Sequence, residues 1–129
     1  IDKALRHRTN NKQRNVLQHL DLSGNSAIGD VGLSILAPSL SSLSTLDLSS
    51  CGITDDGVSS LTNLPTDTLN LSLNNLGNDG VRHLTRLLLS QSSPAAPRRL
   101  DLSGNKRVGD DGASALAAVL SSANQQQQP

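Results

Sequence analysis

The 129-residue sequence predicts a right-handed α/β solenoid of four strand–turn–helix units, with a short curved parallel sheet on the concave face and helices on the convex face. Three observations carry this. Within residues 43–64, LSTLDLSSCGITDDGVSSLTNL, the apolar period changes midway. Leu46 and Leu48 alternate with Thr45, Asp47 and Ser49, as in a half-buried strand, whereas Val58, Leu61 and Leu64 recur at helical spacing. The same pattern returns along the chain: Asn25, Cys51, Asn74 and Asn105 each follow a strand, 26, 23 and 31 residues apart. Finally, a unit this small cannot bury its own apolar side, so the units must stack.

Taken in order, residues 1–16 form a basic N-terminal segment. Lys3, Arg6, Arg8, Lys12 and Arg14 against Asp2 leave it at +4 and the remainder at −4. Ile1, Ala4 and Leu5 fit one face of a short helix, as at the end of a preceding repeat, and the charge reads either as a basic contact for an acidic partner or as a solvated linker between repeats. Four repeats occupy 17–123. Their strands are expected at 18–23, 44–49, 67–72 and 98–103, with Leu20, Leu46, Leu69, Leu100 and Leu22, Leu48, Leu71, Leu102 pointing inward. The outermost apolar position decays from Leu17 and Leu43 to Thr66 and Pro97. Each helix offers an inward face: Leu33, Leu36 and Leu40; Val58, Leu61 and Leu64; Val81, Leu84 and Leu88; Ala113, Leu116 and Leu120. Pro38 predicts a kink or a break in the first helix. Asp30, Asp55, Asn78 and Asp110 are expected as N-caps of the four helices. Gly32, Gly57, Gly80 and Gly112, two residues later, suit close approach of neighbours. Residues 90–98, SQSSPAAPR, read as extended loop, and 124–129 as a Gln-rich tail with nothing to bury.

These residues resemble the leucine-rich-repeat pattern LxxLxLxxN/CxL over Leu17 to about Ser121. LSLNNLGNDG and LDLSGNKRVGDDG are similar to the ribonuclease-inhibitor-like subtype, and Cys51 followed by ITDDG is similar to the cysteine-containing subtype found beside F-box domains. The resemblance implies the curved solenoid and a binding role. It also offers two alternatives: a GTPase-activating regulator of the Ran-activator type, and a ubiquitin-ligase substrate receptor. Fold alone does not choose among them.

Composition narrows the chemistry. Eleven basic and eleven acidic residues give no net charge, which disfavours a general polyanion binder. Phe, Tyr, Trp and Met are all absent, so there is no stacking platform for single-stranded nucleic acid and no aromatic interface anchor. One cysteine excludes an internal disulfide framework and suits an intracellular, cytoplasmic setting. No apolar run is long enough to span a membrane. Apparent active sites dissolve on inspection. His19, Asp21 and Ser23 share one strand face, but residues two apart lie about 6–7 Å from each other, beyond nucleophile–base reach. Gly24, Gly29 and Gly32 lack the Lys and Ser/Thr of a phosphate loop. Asp55-Asp56-Gly57 and Asp110-Asp111-Gly112 lack the alternating ligands of a calcium loop. His7, His19 and His83 form no metal spacing. The sequence therefore reads as non-catalytic, with no cofactor and no metal.

What remains is a surface. Outward strand residues stack into three rows on the concave face: His19, Thr45, Thr68 and Arg99; Asp21, Asp47, Asn70 and Asp101; Ser23, Ser49, Ser72 and Ser103. The expected function is a protein–protein interaction or scaffold module, part of a larger assembly, with a basic segment of a partner over the acidic row. Like charges at Asp21 and Asp47 should raise the pKa of one of them. Both ends of the stack should expose strand edges, to be covered by further repeats or subunits.

Overall fold

The computed structural model describes residues 16–65, 67–90 and 97–126. The elements run β1 (His19–Asp21), α1 (Gly29–Leu36), a 3-10 helix (Ala37–Ser42), β2 (Thr45–Asp47), α2 (Asp55–Ser59), β3 (Thr68–Asn70), α3 (Asn78–Ser90), β4 (Arg99–Asp101) and α4 (Asp110–Gln126). One parallel sheet holds the strands in chain order, β1-β2-β3-β4. Parallel strands sit about 4.8 Å apart and helices about 8–10 Å, so the stack curves with its sheet inside.

Each strand is three residues long, shorter than the six expected. The stretch from 18 to 24 is nonetheless bonded to the next repeat throughout: Ser44 N–H donates to Gln18 O, Leu22 N–H to Asp47 O and Gly24 N–H to Ser49 O. The same ladder recurs from β2 to β3 and from β3 to β4. Only its middle keeps regular strand geometry, because the chain turns at a left-handed residue just beyond. Those turn residues are Gly24, Ser50, Leu73 and Gly104, with φ of 79°, 54°, 58° and 74°.

The core is aliphatic. Leu46 and Leu69 from the two inner strands, with Leu48 and Leu71 just beyond them, are buried with Cys51, Ile53 and Leu76 from the turns, and with Leu33, Leu40, Val58, Leu61, Leu64 and Leu84 from the helical side. Pro38 ends α1 as anticipated. The chain tightens into the 3-10 helix, whose Ala37 and Leu40 keep facing the core. Repeat 2 has only five helical residues, and the buried Leu61 and Leu64 follow in a non-helical stretch.

Three expectations need correction. On α4 the more buried positions are Gly112, Ala115, Leu116 and Val119, whereas Ala113 and Leu120 are exposed, the latter 67%. That helix is apolar on most sides, so a simple three-residue spacing selects the wrong face; the 3.6-residue turn selects 112, 115/116 and 119. Asn124–Gln126 belong to α4 rather than to a tail, because glutamine and asparagine do not end a helix as Gly or Pro would. Residues 127–129, the basic segment up to residue 15, Thr66 and 91–96 of the expected loop lie outside the described residues.

The third correction concerns the caps, and it shows how the repeats are joined. Asp30 lies inside α1 and its carboxylate serves the next repeat: it accepts from Thr54 N–H at 2.7 Å and from the Thr54 hydroxyl at 2.5 Å. Asp55 accepts from Gly77 and Gly80 N–H at 2.7 and 3.0 Å. Asn78 Oδ1 accepts from Gly109 and Gly112 N–H at 2.8 and 3.0 Å. The cap of α2 is instead Thr54, whose hydroxyl accepts from Asp56 N–H at 3.3 Å. Helix starts carry unpaired N–H groups, and in a parallel stack the adjacent start lies within reach of a side chain in the previous one. The glycines follow from this contact. A Cβ at Gly57 would collide with the Asp30 carboxylate, and one at Gly80 with that of Asp55; at Gly112 it would lie 2.9 Å from Asn78 Oδ1.

A second inter-repeat device runs the other way. Asn74 Oδ1 accepts from Cys51 and Ile53 N–H of the preceding repeat, both at 3.0 Å, while its Nδ2 donates to Leu48 O at 2.8 Å. Buried Asn105 repeats this with Leu76 N–H and Leu71 O, both at 2.9 Å. Cys51 keeps half the pattern, its thiol donating to Leu22 O at 3.1 Å. The side chain of Asn25 is exposed and, among the described residues, bonds within its own turn, to Leu22 O and Ser23 O.

Candidate functional site

The sheet register brings the outward strand residues together as rows. His19, Thr45, Thr68 and Arg99 are successive partners, as are Asp21, Asp47, Asn70 and Asp101. The Ser23, Ser49, Ser72 and Ser103 row continues along the same ladder beyond the strands. His19, Arg99, Asp21, Ser23 and Ser103 are exposed, and Thr45, Thr68, Asp47, Asn70, Asp101 and Ser49 half-buried. Ser72 is only 7% exposed, in an inner repeat with neighbours on both sides, and offers little to a partner.

The acidic row is internally ordered. Each carboxylate or amide folds back on the residue two positions on: Asp21, Asp47, Asn70 and Asp101 Oδ1 each accept from the amide of Ser23, Ser49, Ser72 and Ser103 at 2.9 Å. The Ser49 and Ser103 hydroxyls add bonds of 2.7 Å to Asp47 and Asp101. The three aspartates therefore commit Oδ1 and leave Oδ2 without a protein partner among the described residues. These bonds set the titration. Ser23, by hydroxyl and then amide, holds the Asp21 carboxyl below the usual range, and Ser103 does the same for Asp101. For Asp21 this is opposite to the upward shift that like-charge repulsion predicts. Hydrogen bonds to the charged form outweigh a neighbouring charge that water screens.

His19, Asp21 and Ser23 do not form a relay: Asp21 is engaged by Ser23, and among the described residues no hydrogen bond joins His19 to either of them. His83, on α3, has Nε2 2.8 Å from Leu61 O, and lies apart from the sheet rows. Among the described residues no group of His, Cys, Asp or Glu is placed to hold a metal ion, and no helix is long and apolar enough to cross a membrane. On the helical side, Arg82 bridges Asp79 and Asp111 at 2.6 and 3.2 Å; these exposed pairs contribute little.

Sequence reasoning missed Leu73. It occupies the turn position of Gly24, Ser50 and Gly104, in the left-handed region, with its side chain 63% exposed. A non-glycine residue there costs about 1–2 kcal/mol. Two glycines at one register position were the signal that all four turns require positive φ.

A family model described as Leucine Rich repeat matches residues 15–37, 39–61, 68–84 and 98–117, one segment for each strand and the turn and helix after it. No curated protein matches the chain.

Proposed function

Because the chain belongs to the leucine-rich-repeat family, we propose that it is a non-catalytic scaffold module whose sheet side receives a basic segment of a protein partner. Repeats of this family are protein-interaction units, and the choice of a basic partner rests on one observation. Asp21, Asp47 and Asp101 lie in one row, each with Oδ1 held by the serine two residues on and Oδ2 without a protein partner among the described residues. A row of carboxylates pre-ordered by local bonds offers charge-assisted hydrogen bonds to Arg or Lys without first having to be immobilised. Flanking Thr45, Thr68, Ser49 and Ser103 add hydroxyls, and His19 and Arg99 stand at the two ends of the neighbouring row.

Within the family we assign the ribonuclease-inhibitor-like subtype, which LSLNNLGNDG and LDLSGNKRVGDDG support. The module works inside the cell, in the cytoplasm, a setting that suits its buried free thiol. Its ends join further repeats or other subunits. Supporting this, β1 and β4 are the sheet edges among the described residues, and Val31, Ile35 and Leu120 are 74%, 73% and 67% exposed on α1 and α4.

The test is titration of a labelled dodecapeptide of alternating Arg and Ser into the chain at rising salt. The reading predicts salt-sensitive binding, weakened and made less salt-sensitive by Asp21→Asn, Asp47→Asn and Asp101→Asn together. An unchanged isotherm for the triple variant contradicts it.

A further inference from the structure

The polar rows explain attraction to a basic segment but not how a partner is chosen, and the chain has no aromatic side chain to anchor one. An apolar anchor must here be aliphatic. Among the described residues the large exposed hydrophobics are Val16, Leu17, Val31, Ile35, Leu73, Leu89 and Leu120. Val16, Leu17, Val31 and Ile35 precede or belong to the first repeat, and Leu120 belongs to the last. Further repeats would cover such positions. Leu89 is the penultimate residue of α3, and residues 91–96, which follow that helix in sequence, lie outside the described residues. Leu73 alone follows an inner strand, with β2 and β4 already flanking β3, so no continuation of the stack would bury it.

A lone exposed leucine is ordinary on a protein surface. This one is distinguished by its backbone. The turn needs positive φ, and two of the four repeats meet that need with glycine, yet repeat 3 holds a bulky leucine there at φ 58°. Strain of this kind is retained where the side chain has a use. The neighbours leave room for it. Ser50 is small, and Gly104 has no side chain: a Cβ there would lie 2.5 Å from Leu73 Cδ2, so the leucine leans across the glycine. Leu73 also stands three residues beyond Asn70, which the register sets between Asp47 and Asp101.

We propose that Leu73 is the apolar anchor of the sheet-side surface, and that the bound segment carries an aliphatic side chain next to a basic one. The basic side chain meets Asp47 or Asp101, and the aliphatic one packs on Leu73 over Gly104. This rests on the reading of the acidic row above.

The experiment uses the full chain and three labelled dodecapeptides, alternating Arg/Leu, Arg/Ser and Glu/Leu, followed by fluorescence anisotropy. The expected result is that Arg/Leu binds about tenfold or more tightly than either other peptide, as burying one leucine implies. Leu73→Asn and Leu73→Gly should reduce Arg/Leu to the level of Arg/Ser. Asn and Gly both accept positive φ, so both variants should melt no lower than the parent, which separates lost binding from lost folding. Equal binding of Arg/Leu and Arg/Ser, unaffected by either variant, overturns the role of Leu73 and leaves the acidic row standing. Equal binding of Glu/Leu and Arg/Leu overturns the pairing of charge with apolar contact. Failure of both basic peptides to bind overturns the acidic row, and this proposal with it.

Discussion

Replacing Asp55 with alanine tests the coupling between repeats. The Asp55 carboxylate is the acceptor for two N–H groups, Gly77 at 2.7 Å and Gly80 at 3.0 Å, at the start of α3. The substitution removes both bonds while leaving repeat 2 its own cap, Thr54. A hydrogen bond to a charged group contributes about 1.5–3 kcal/mol, and loss of a helix cap costs about 0.5–2 kcal/mol. Asp55 is half-buried, so water can partly replace it at the vacated amides. The expected loss is then about 2 kcal/mol, or roughly 5–10 °C in Tm for a domain of this size. The control is Asp56→Ala. Asp56 is exposed and its carboxylate accepts no bond among the described residues, so its loss should cost under about 0.5 kcal/mol. Thermal and urea unfolding followed by circular dichroism measures both. If Asp55→Ala unfolds within error of Asp56→Ala, the carboxylate does not couple the repeats and the argument fails.

Other consequences are read the same way. Asn105→Ala removes a buried amide serving Leu76 N–H and Leu71 O, and should cost about 2–3 kcal/mol in urea unfolding. Gly104→Ala puts a side chain at φ 74° against Leu73, so it should destabilise, and Leu73→Gly in the same chain should recover part of the loss. Burial pushes the Cys51 thiol pKa up, so at pH 8 the native protein should react with a disulfide reagent far more slowly than the urea-unfolded chain; equal rates would refute its burial. The Asp101 carboxyl, held low by Ser103, stabilises the fold above the unfolded carboxylate pKa, and that contribution is lost as pH falls through the lower folded value. Asp101→Asn should therefore flatten the acid limb of a Tm–pH profile below about pH 4.

Residue spacing revealed the strands and their register because the period-2 leucines fall on one face and a one-residue slip would expose them all. It misplaced the caps because an acidic residue two before a glycine at a helix start fits two geometries. It can cap its own helix or reach the next one, and only the stacking distance decides. The glycines carried the answer without showing it: Gly57 and Gly80 are small because a carboxylate from the previous repeat lies against them. On α4, alanines surround the helix, so hydrophobic spacing names no single face. Of the candidate surface, the polar rows were legible as alternation. The inward-folded geometry of their carboxylates was not, nor the left-handed turn that displays Leu73.

Native-state hydrogen exchange on the unmodified chain tests most directly the claim that each repeat is fastened by side chains of its neighbours. The amides of Gly80, Gly112, Ile53 and Leu76 meet side-chain acceptors in an adjacent repeat, Asp55, Asn78, Asn74 and Asn105. Their protection should match that of the sheet-ladder amides Leu48 and Leu71, which donate to Asn70 O and Asp101 O. Exchange of those four at the rate of open turns, with Leu48 and Leu71 still protected, would contradict it.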